Sequence, residues 1–210
     1  MKAISFNDEM VRAILSRRKT QTRRPVEGYG IEPPDLCPYG QVGDFLWVRE
    51  AFCLEHQVEG DPPFDDGRPV FYLREGLPCA PKDAETWIQP HYRATDPAPE
   101  LYYADLPADE PRVRWAPPQN MPRWASRITL KITDIRVQRV REITEEEARK
   151  EGIIDGGCVN CGNPEPCHCE RPEPSPVDAF VNIWDSIYGE KGFGWEANPW
   201  VWAITFKKVG

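Results

Sequence analysis

The sequence predicts a fold of the α+β class: a small, partly closed β-barrel with two or three short helices and long loop insertions. Segments of alternating apolar and polar residues predict strands, and start signals between them predict helices. The chain has 210 residues, which suits one or two domains and a sizeable core. Its 23 prolines indicate many fixed turns and long surface loops.

The pattern of the first quarter of the chain predicts a strand, a helix and two further strands. Residues 3–6 alternate weakly, and Asn7 is a helix N-cap candidate before apolar residues that recur at helical spacing through Leu15. Residues 19–24 are expected to be extended. Residues 45–48, Phe-Leu-Trp-Val after a Gly-Asp turn, are a strong strand signal.

We interpret the chain as a single domain over 1–210, with a core at about 3–53, 124–153 and 177–208. Residues 54–122 are rich in proline and acidic residues and carry short aromatic pieces. They are expected to form a loop insertion with one or two hairpins.

Regular structure is expected to resume after Trp124. Residues 126–140 alternate over most of their length, and a change of phase near Asp134 predicts a bulge or turn. Thr144 and Glu147 form a capping box for a short acidic helix. This helix is expected to stop at Gly152. A second helix is expected from Ser175 to Gly189, and a strand over residues 200–206.

Charge and hydropathy narrow the function classes. The 26 basic and 34 acidic residues give a net charge of −8, which disfavours indiscriminate binding to nucleic acid. The sequence has no run of 18 apolar residues, and its N-terminus lacks a signal-peptide core. A cytoplasmic protein without membrane contact is therefore expected. Seven cysteines, an odd number, argue against a disulfide framework.

The densest charge feature is the basic segment at residues 17–24, Arg-Arg-Lys-Thr-Gln-Thr-Arg-Arg. Cations concentrated against an acidic background point to contact with an anion or a nucleic acid. The candidate ligand-binding residues here are Arg17, Arg18, Arg23 and Arg24. The alternative is a solvated helix end, because cations there also suit the helix dipole.

The order of these motifs resembles the ASCH family, which is similar to the PUA domains, small β-barrels that bind RNA or nucleosides. The family signature Gly-x-Lys-x-x-(Glu or Thr)-x-Arg is matched at residues 17–24, with Arg17 in place of the glycine. Phrases at 37–44, 121–128 and 197–202 look like a subgroup of phage and prophage proteins. The resemblance implies RNA, single-stranded nucleic acid or a modified nucleoside as partner.

One branch of this family hydrolyses the acetyl amide of N(4)-acetylcytidine. The resemblance places its catalytic lysine, threonine and glutamate on Lys19, Thr22 and Glu151. Amide hydrolysis needs a nucleophile, a proton acceptor and a group that stabilises the oxyanion. A partly buried lysine could activate the threonine, and Arg24 could hold an oxyanion or phosphate. The alternative is a structural ion pair between Lys19 and Glu151, with Thr22 an ordinary strand residue.

The insertion at 156–170 has the spacing of a zinc knuckle. Its first two cysteines form a Cys-x-x-Cys pair, which suits tetrahedral zinc. The expected ligands of a structural zinc ion are Cys158, Cys161, Cys167 and Cys169. His168 could replace either of the last two. Four reduced thiols in a flexible loop are the alternative.

The chain has eight tryptophans. Four lie on predicted elements and are expected in the core: Trp47, Trp184, Trp200 and Trp202. Trp124 lies beside Arg123 and Arg127, and this combination suits stacking on a nucleic-acid base. The alternative is that such tryptophans pack the insertions onto the barrel.

These observations predict a phage or prophage protein that binds RNA, another nucleic acid or a modified nucleoside. An amidohydrolase acting on N(4)-acetylcytidine-type nucleosides is the enzymatic alternative. A phage assembly or host-interaction protein is a further alternative, in which the insertion at 54–122 matters more than the cleft. A metal-assisted ribonuclease has no supporting acidic cluster in the sequence.

Overall fold

The computed structural model describes residues 1–27, 36–58, 86–97, 115–153 and 175–209. Over these residues the chain forms one five-stranded sheet, one two-stranded sheet and three α-helices. The predicted α+β class is confirmed.

One short helix follows the first strand, and two more lie between the last two strands. In chain order the strands are β1 (Lys2–Ser5), β2 (Gln21–Pro25), β3 (Phe45–Arg49), β4 (Phe52–Val58), β5 (Thr86–Tyr92), β6 (Thr129–Arg139) and β7 (Trp200–Val209). The helices are α1 (Asp8–Leu15), α2 (Glu145–Lys150) and α3 (Pro176–Tyr188), and a 3₁₀ turn covers Arg123–Ala125.

The larger sheet has the strand order β1-β3-β6-β7-β2. β7 pairs antiparallel with β6 on one side and with β2 on the other. Over the described residues this order has two ends, β1 and β2, so closure into a barrel stays a prediction. The smaller sheet is the antiparallel pair β4–β5. β5 lies in the predicted insertion, and β4 begins two residues before it.

The chain divides into two compact units. The first comprises Met1–Lys2, Ala13–Leu46 and Ile128–Gly210, and the second comprises Ala3–Arg12 and Trp47–Arg127. The first unit has a core cluster of Val140, Ile143, Ala148, Phe180, Trp184 and Val201. The second has a smaller cluster of Phe52, Met121 and Ala125.

The helix starts follow the predicted caps. The side-chain oxygen of Asn7 accepts from the Met10 amide at 2.9 Å, and that of Ser175 accepts from the Asp178 amide at 3.3 Å. Thr144 and Glu147 form the predicted capping box. These helices therefore begin where local hydrogen bonding satisfies their first amides.

Two irregularities also match the sequence pattern. The β6–β7 register shifts between Ile132 and Asp134, which confirms the predicted bulge. Gly152 follows α2 with a φ of +95°, and a Cβ there would lie 2.9 Å from the Cβ of Ala13. Glycine is required at this position because the backbone is left-handed and the space is filled.

No helix among the residues that the structure describes is both long and apolar enough to cross a bilayer.

Candidate functional site

The basic segment enters the fold as β2, and the alternation of this strand separates its side chains. Gln21 and Arg23 lie on one face of the sheet, where Arg23 donates to the Gln21 amide oxygen at 3.2 Å. Thr22 lies on the opposite face, directly across from Ile204 of β7. The segment therefore does not present its cations as one continuous surface.

The end of α2 brings the first predicted pair together. The Lys19 amine lies 2.7 Å from a carboxylate oxygen of Glu151 and also donates to the Glu151 carbonyl oxygen at 2.8 Å. The Lys19 side chain has no exposed surface. This contact is consistent with both interpretations of the sequence, a catalytic lysine–glutamate pair and a structural ion pair.

Arg23 extends the pair into a buried ion network. Its guanidinium contacts Glu151 at 2.9 Å and Glu147 at 2.8 Å, and the second Glu147 oxygen lies 2.6 Å from Arg136. Glu147 and Glu151 are four residues apart and so share one face of the helical turn. Glu147 of α2 thus bridges Arg23 of β2 and Arg136 of β6, and Glu151 at the end of the helix bridges Lys19 and Arg23.

Ala203 of β7 makes this arrangement possible. In the antiparallel registers it lies between Arg23 of β2 and Arg136 of β6. Its small, fully buried side chain leaves room for both guanidinium groups to reach Glu147.

Burial and pairing shift the pKa values in opposite directions within this network. Burial lowers the pKa of the Lys19 amine, and the facing Glu151 carboxylate opposes that shift. For Glu147, burial favours the neutral acid, but hydrogen bonds and nearby arginines outweigh it and lower the pKa. A buried lysine with a lowered pKa is a feature of some catalytic sites.

The other arginines of the basic segment have separate environments. Arg17 and Arg18 are exposed, and Arg18 donates to the Gly152 carbonyl oxygen at 3.0 Å. Arg24 is half-buried and donates to the Tyr188 hydroxyl at 2.9 Å. Arg23 has a fully buried side chain, so its predicted ligand contact would require the network to open.

A pocket of about 370 Å³ lies at the end of β2. It is lined by Pro25, Val26, Glu27, Leu36, Pro38, Tyr39 and Trp202. Burial raises the pKa of Tyr39, and the charge of the nearby Arg24 opposes the shift. The pocket therefore combines two aromatic side chains and a carboxylate with a guanidinium in its surroundings.

The second unit holds the predicted tryptophan–arginine pair in a different arrangement. Arg127 binds both carboxylate oxygens of the buried Glu50, at 3.0 and 2.9 Å, and stacks 3.9 Å from the ring centre of Tyr92. Trp124 packs against the cluster around Phe52. Arg127 is thus engaged internally, while Trp124 remains half-exposed.

The predicted zinc ligands Cys158, Cys161, Cys167 and Cys169 lie outside the described residues, as does His168. Within the described ranges, no group of three or more histidine, cysteine or acidic side chains is placed to hold a metal ion. The zinc knuckle stays a prediction.

Sequence reasoning missed several residues of these sites. Glu147 was expected only as a helix cap, although its spacing from Glu151 and the facing basic strand are a usable signal for ion pairing. Tyr39 and Glu27 lie in stretches of sequence without periodicity, and no local pattern marks them. Trp202 was expected in the core; it is buried and also forms a wall of the pocket.

The chain matches no family model and no curated protein. Among solved structures, it is similar to protein EF3133 from Enterococcus faecalis V583, described as a DUF984 family protein. The two share 8% sequence identity with a TM-score of 0.38, over 99% of this chain and 78% of that one.

Proposed function

We propose that the chain binds a nucleoside, free or within a single-stranded nucleic acid, in the pocket at the end of β2. The observation that carries this proposal is the combination of Tyr39, Trp202 and Glu27 in one pocket beside Arg24. The sequence resemblance to nucleoside-binding and RNA-binding domains supports it independently.

The size of the pocket favours a small ligand. Pockets for small molecules typically span about 300–1,000 Å³, and this one measures about 370 Å³. A single nucleoside is within that range, whereas a duplex would need an extended basic surface. Lys19 and Arg23 cannot contribute to such a surface, because both pair internally with carboxylates.

Each wall of the pocket offers a contact that a nucleoside can use. A base can stack on the ring of Tyr39 or Trp202. The Glu27 carboxylate can accept from an exocyclic amine or a ribose hydroxyl. Arg24, which donates to the Tyr188 hydroxyl, has a planar guanidinium of the kind that binds phosphate oxygens.

Calorimetric titration with cytidine, N(4)-acetylcytidine and cytidine monophosphate tests the proposal. Loss of one base–aromatic stack costs about 1–3 kcal/mol, so Tyr39→Ala should weaken binding about 5- to 150-fold. Tyr39→Phe keeps the ring and should bind nearly as wild type. Folded wild-type protein that binds none of the three ligands at millimolar concentration would contradict the proposal.

A second candidate function is hydrolysis of an acetylated cytidine, favoured by the contact between Lys19 and Glu151 and by the lowered pKa of the lysine. In that reaction water adds to the acetyl carbonyl, the carbon–nitrogen bond breaks, and acetate and the free amine are released. Since the Lys19 side chain is fully buried, the amine would have to become accessible before it could act.

Overnight incubation with N(4)-acetylcytidine, followed by chromatography for free cytidine, tests the hydrolase. Lys19→Ala should abolish release, and Lys150→Ala, which removes an exposed lysine on α2, should not. Circular dichroism establishes that each variant is folded. No release by folded wild-type protein would contradict this function and leave nucleoside binding in place.

A further inference from the structure

Arg23 is the member of the buried ion network that has no part in ligand binding or hydrolysis as proposed. Its guanidinium donates to Glu151 at 2.9 Å and to Glu147 at 2.8 Å, and it lies 5.7 Å from the ring centre of Phe180 in α3. The Arg23 side chain has no exposed surface. It therefore acts on the groups around it and does not meet a ligand while the network is closed.

Stability alone is a weak explanation for a buried arginine at this position. Buried ion pairs are often no more stabilising than apolar side chains of similar volume. The Nε of Arg23 is buried and makes no hydrogen bond with any residue that the structure describes. An unsatisfied buried donor destabilises the folded state, so this arrangement is not the one that stability alone would favour.

Arg23 and Lys19 share one carboxylate. One Glu151 oxygen lies 2.9 Å from the Arg23 guanidinium, and the other lies 2.7 Å from the Lys19 amine. An arginine keeps its proton in a folded protein, whereas a buried lysine amine can lose it. Arg23 therefore favours the neutral form of Lys19, because it repels the ammonium and competes for the same counter-ion.

The charged groups around Lys19 oppose one another. Burial is the largest influence on the pKa of Lys19 and lowers it. Among the described residues, the Glu151 carboxylate raises this pKa, and the charges of Arg24 and Arg23 lower it. Arg23 in addition contacts Glu151, so its influence on the amine passes through the shared carboxylate as well as through space.

We infer that Arg23 is a positioning residue for Lys19, which it prepares for proton transfer by sharing the Glu151 carboxylate. The inference rests on the second candidate function, hydrolysis of an acetylated cytidine, because it names the residue that makes the amine a proton acceptor there. In that reaction the neutral amine takes one proton from the attacking water and returns it to the departing nitrogen. Lys19 therefore ends the cycle neutral, as it began.

Titration of the Lys19 amine by NMR, followed at its Cε, tests this inference. In wild-type protein the amine should titrate at a lower pH than a lysine in an unstructured peptide. Arg23→Met removes the charge and keeps an unbranched side chain, so the Lys19 midpoint should move to higher pH. Arg149→Met removes an exposed cation of α2 and should leave this midpoint unchanged.

A second variant keeps the inference testable if Arg23→Met does not fold. Glu147→Gln removes the other carboxylate that contacts Arg23, so the guanidinium should draw more strongly on Glu151 and the Lys19 midpoint should move to lower pH. Cytidine release at pH 7 should be at least about tenfold slower in Arg23→Met. Its pH dependence should move with the Lys19 midpoint in both variants, which loss of stability alone would not cause.

Equal Lys19 midpoints in wild type, Arg23→Met and Glu147→Gln would overturn the inference. A wild-type midpoint at or above that of the peptide lysine would also overturn it. Because the titration needs no substrate, the two proposals fail separately. Midpoints that move as expected without cytidine release contradict only the hydrolase, and cytidine release with unchanged midpoints contradicts only the role of Arg23.

Discussion

Glu151 is the residue on which the buried ion network depends, because its carboxylate contacts both Lys19 and Arg23. Glu151→Gln keeps the shape but leaves the lysine charge without its counter-ion. Breaking one side of a buried pair costs about 3–5 kcal/mol, so urea unfolding should show a loss of that size. Glu146→Gln removes an exposed carboxylate of α2 and should leave the unfolding midpoint unchanged.

The loss of unfolding free energy caused by Glu151→Gln should depend on pH. Burial holds the pKa of Lys19 below its value in the unfolded chain, so the unfolded state binds more protons as pH approaches 10. Stability of the variant should therefore rise with pH as the buried amine becomes neutral. An unfolding midpoint equal to that of wild type at pH 7 would show that the pair does not stabilise the fold.

Gly152 offers a test of the space beside Lys19. Gly152→Ala places a Cβ 2.9 Å from Ala13 and 3.0 Å from the Cβ of Lys19, at a φ of +95°. Overpacking and the left-handed backbone together should lower the free energy of unfolding by about 2–4 kcal/mol.

Gly192 provides the matched control for that substitution. It has a φ of +81° with nothing within 4 Å of its Cβ position, so Gly192→Ala should cost only about 1 kcal/mol. Equal losses in the two variants would mean that the backbone angle, and not the contact with Ala13 and Lys19, decides the cost.

At the scale of elements, α2 is six residues long and relies on its first turn. The Thr144 hydroxyl accepts from the Glu147 amide at 3.2 Å, and the Glu147 carboxylate accepts from the Thr144 amide at 3.3 Å. Thr144→Ala should cost about 1 kcal/mol in chemical unfolding, whereas Thr144→Ser keeps the cap and should cost little. Similar losses in both variants would assign the effect to side-chain packing instead.

Features of the secondary structure were predictable where they depend on residues close together in the sequence. Caps, the bulge in β6 and the glycine after α2 depend on residues within a few positions of one another, and all of them are found. The two sites depend on distant residues. Arg127 and Glu50 are 77 positions apart, and Lys19 and Glu151 are 132 apart. The Lys19–Glu151 contact was anticipated through a resemblance, while nothing in the sequence joined Arg127 to Glu50.

At the scale of the whole molecule, two buried carboxylates should shape the response to acid. Hydrogen bonds and arginines lower the pKa of Glu147 against the effect of burial, so its contribution to stability is present above about 4.5 and lost as pH falls through the lowered value. Burial raises the pKa of Glu50, so its contribution is complete below about 4.5 and lost as pH rises through the raised value.

Urea unfolding between pH 3 and pH 7 checks the direction in which each carboxylate changes stability with pH. Glu147→Gln should flatten the decline in stability below pH 4.5, and Glu50→Gln should steepen the overall rise in stability from pH 4.5 upward. Parallel curves for wild type and Glu147→Gln would show that other carboxylates govern acid unfolding.

The extra residue in β6 decides which of its side chains face the apolar side of the sheet. Ile132 lies opposite Phe206, whereas beyond the bulge Ile135 lies opposite Ile204 and Val137 opposite Trp202. The apolar positions thus change from even to odd numbers, while β7 keeps its alternation. If β6 kept Thr133 and paired with β7 without the bulge, Asp134 and Arg136 would turn toward the apolar side. The bulge thus absorbs one residue, and the apolar side chains before and after it meet the same face of β7.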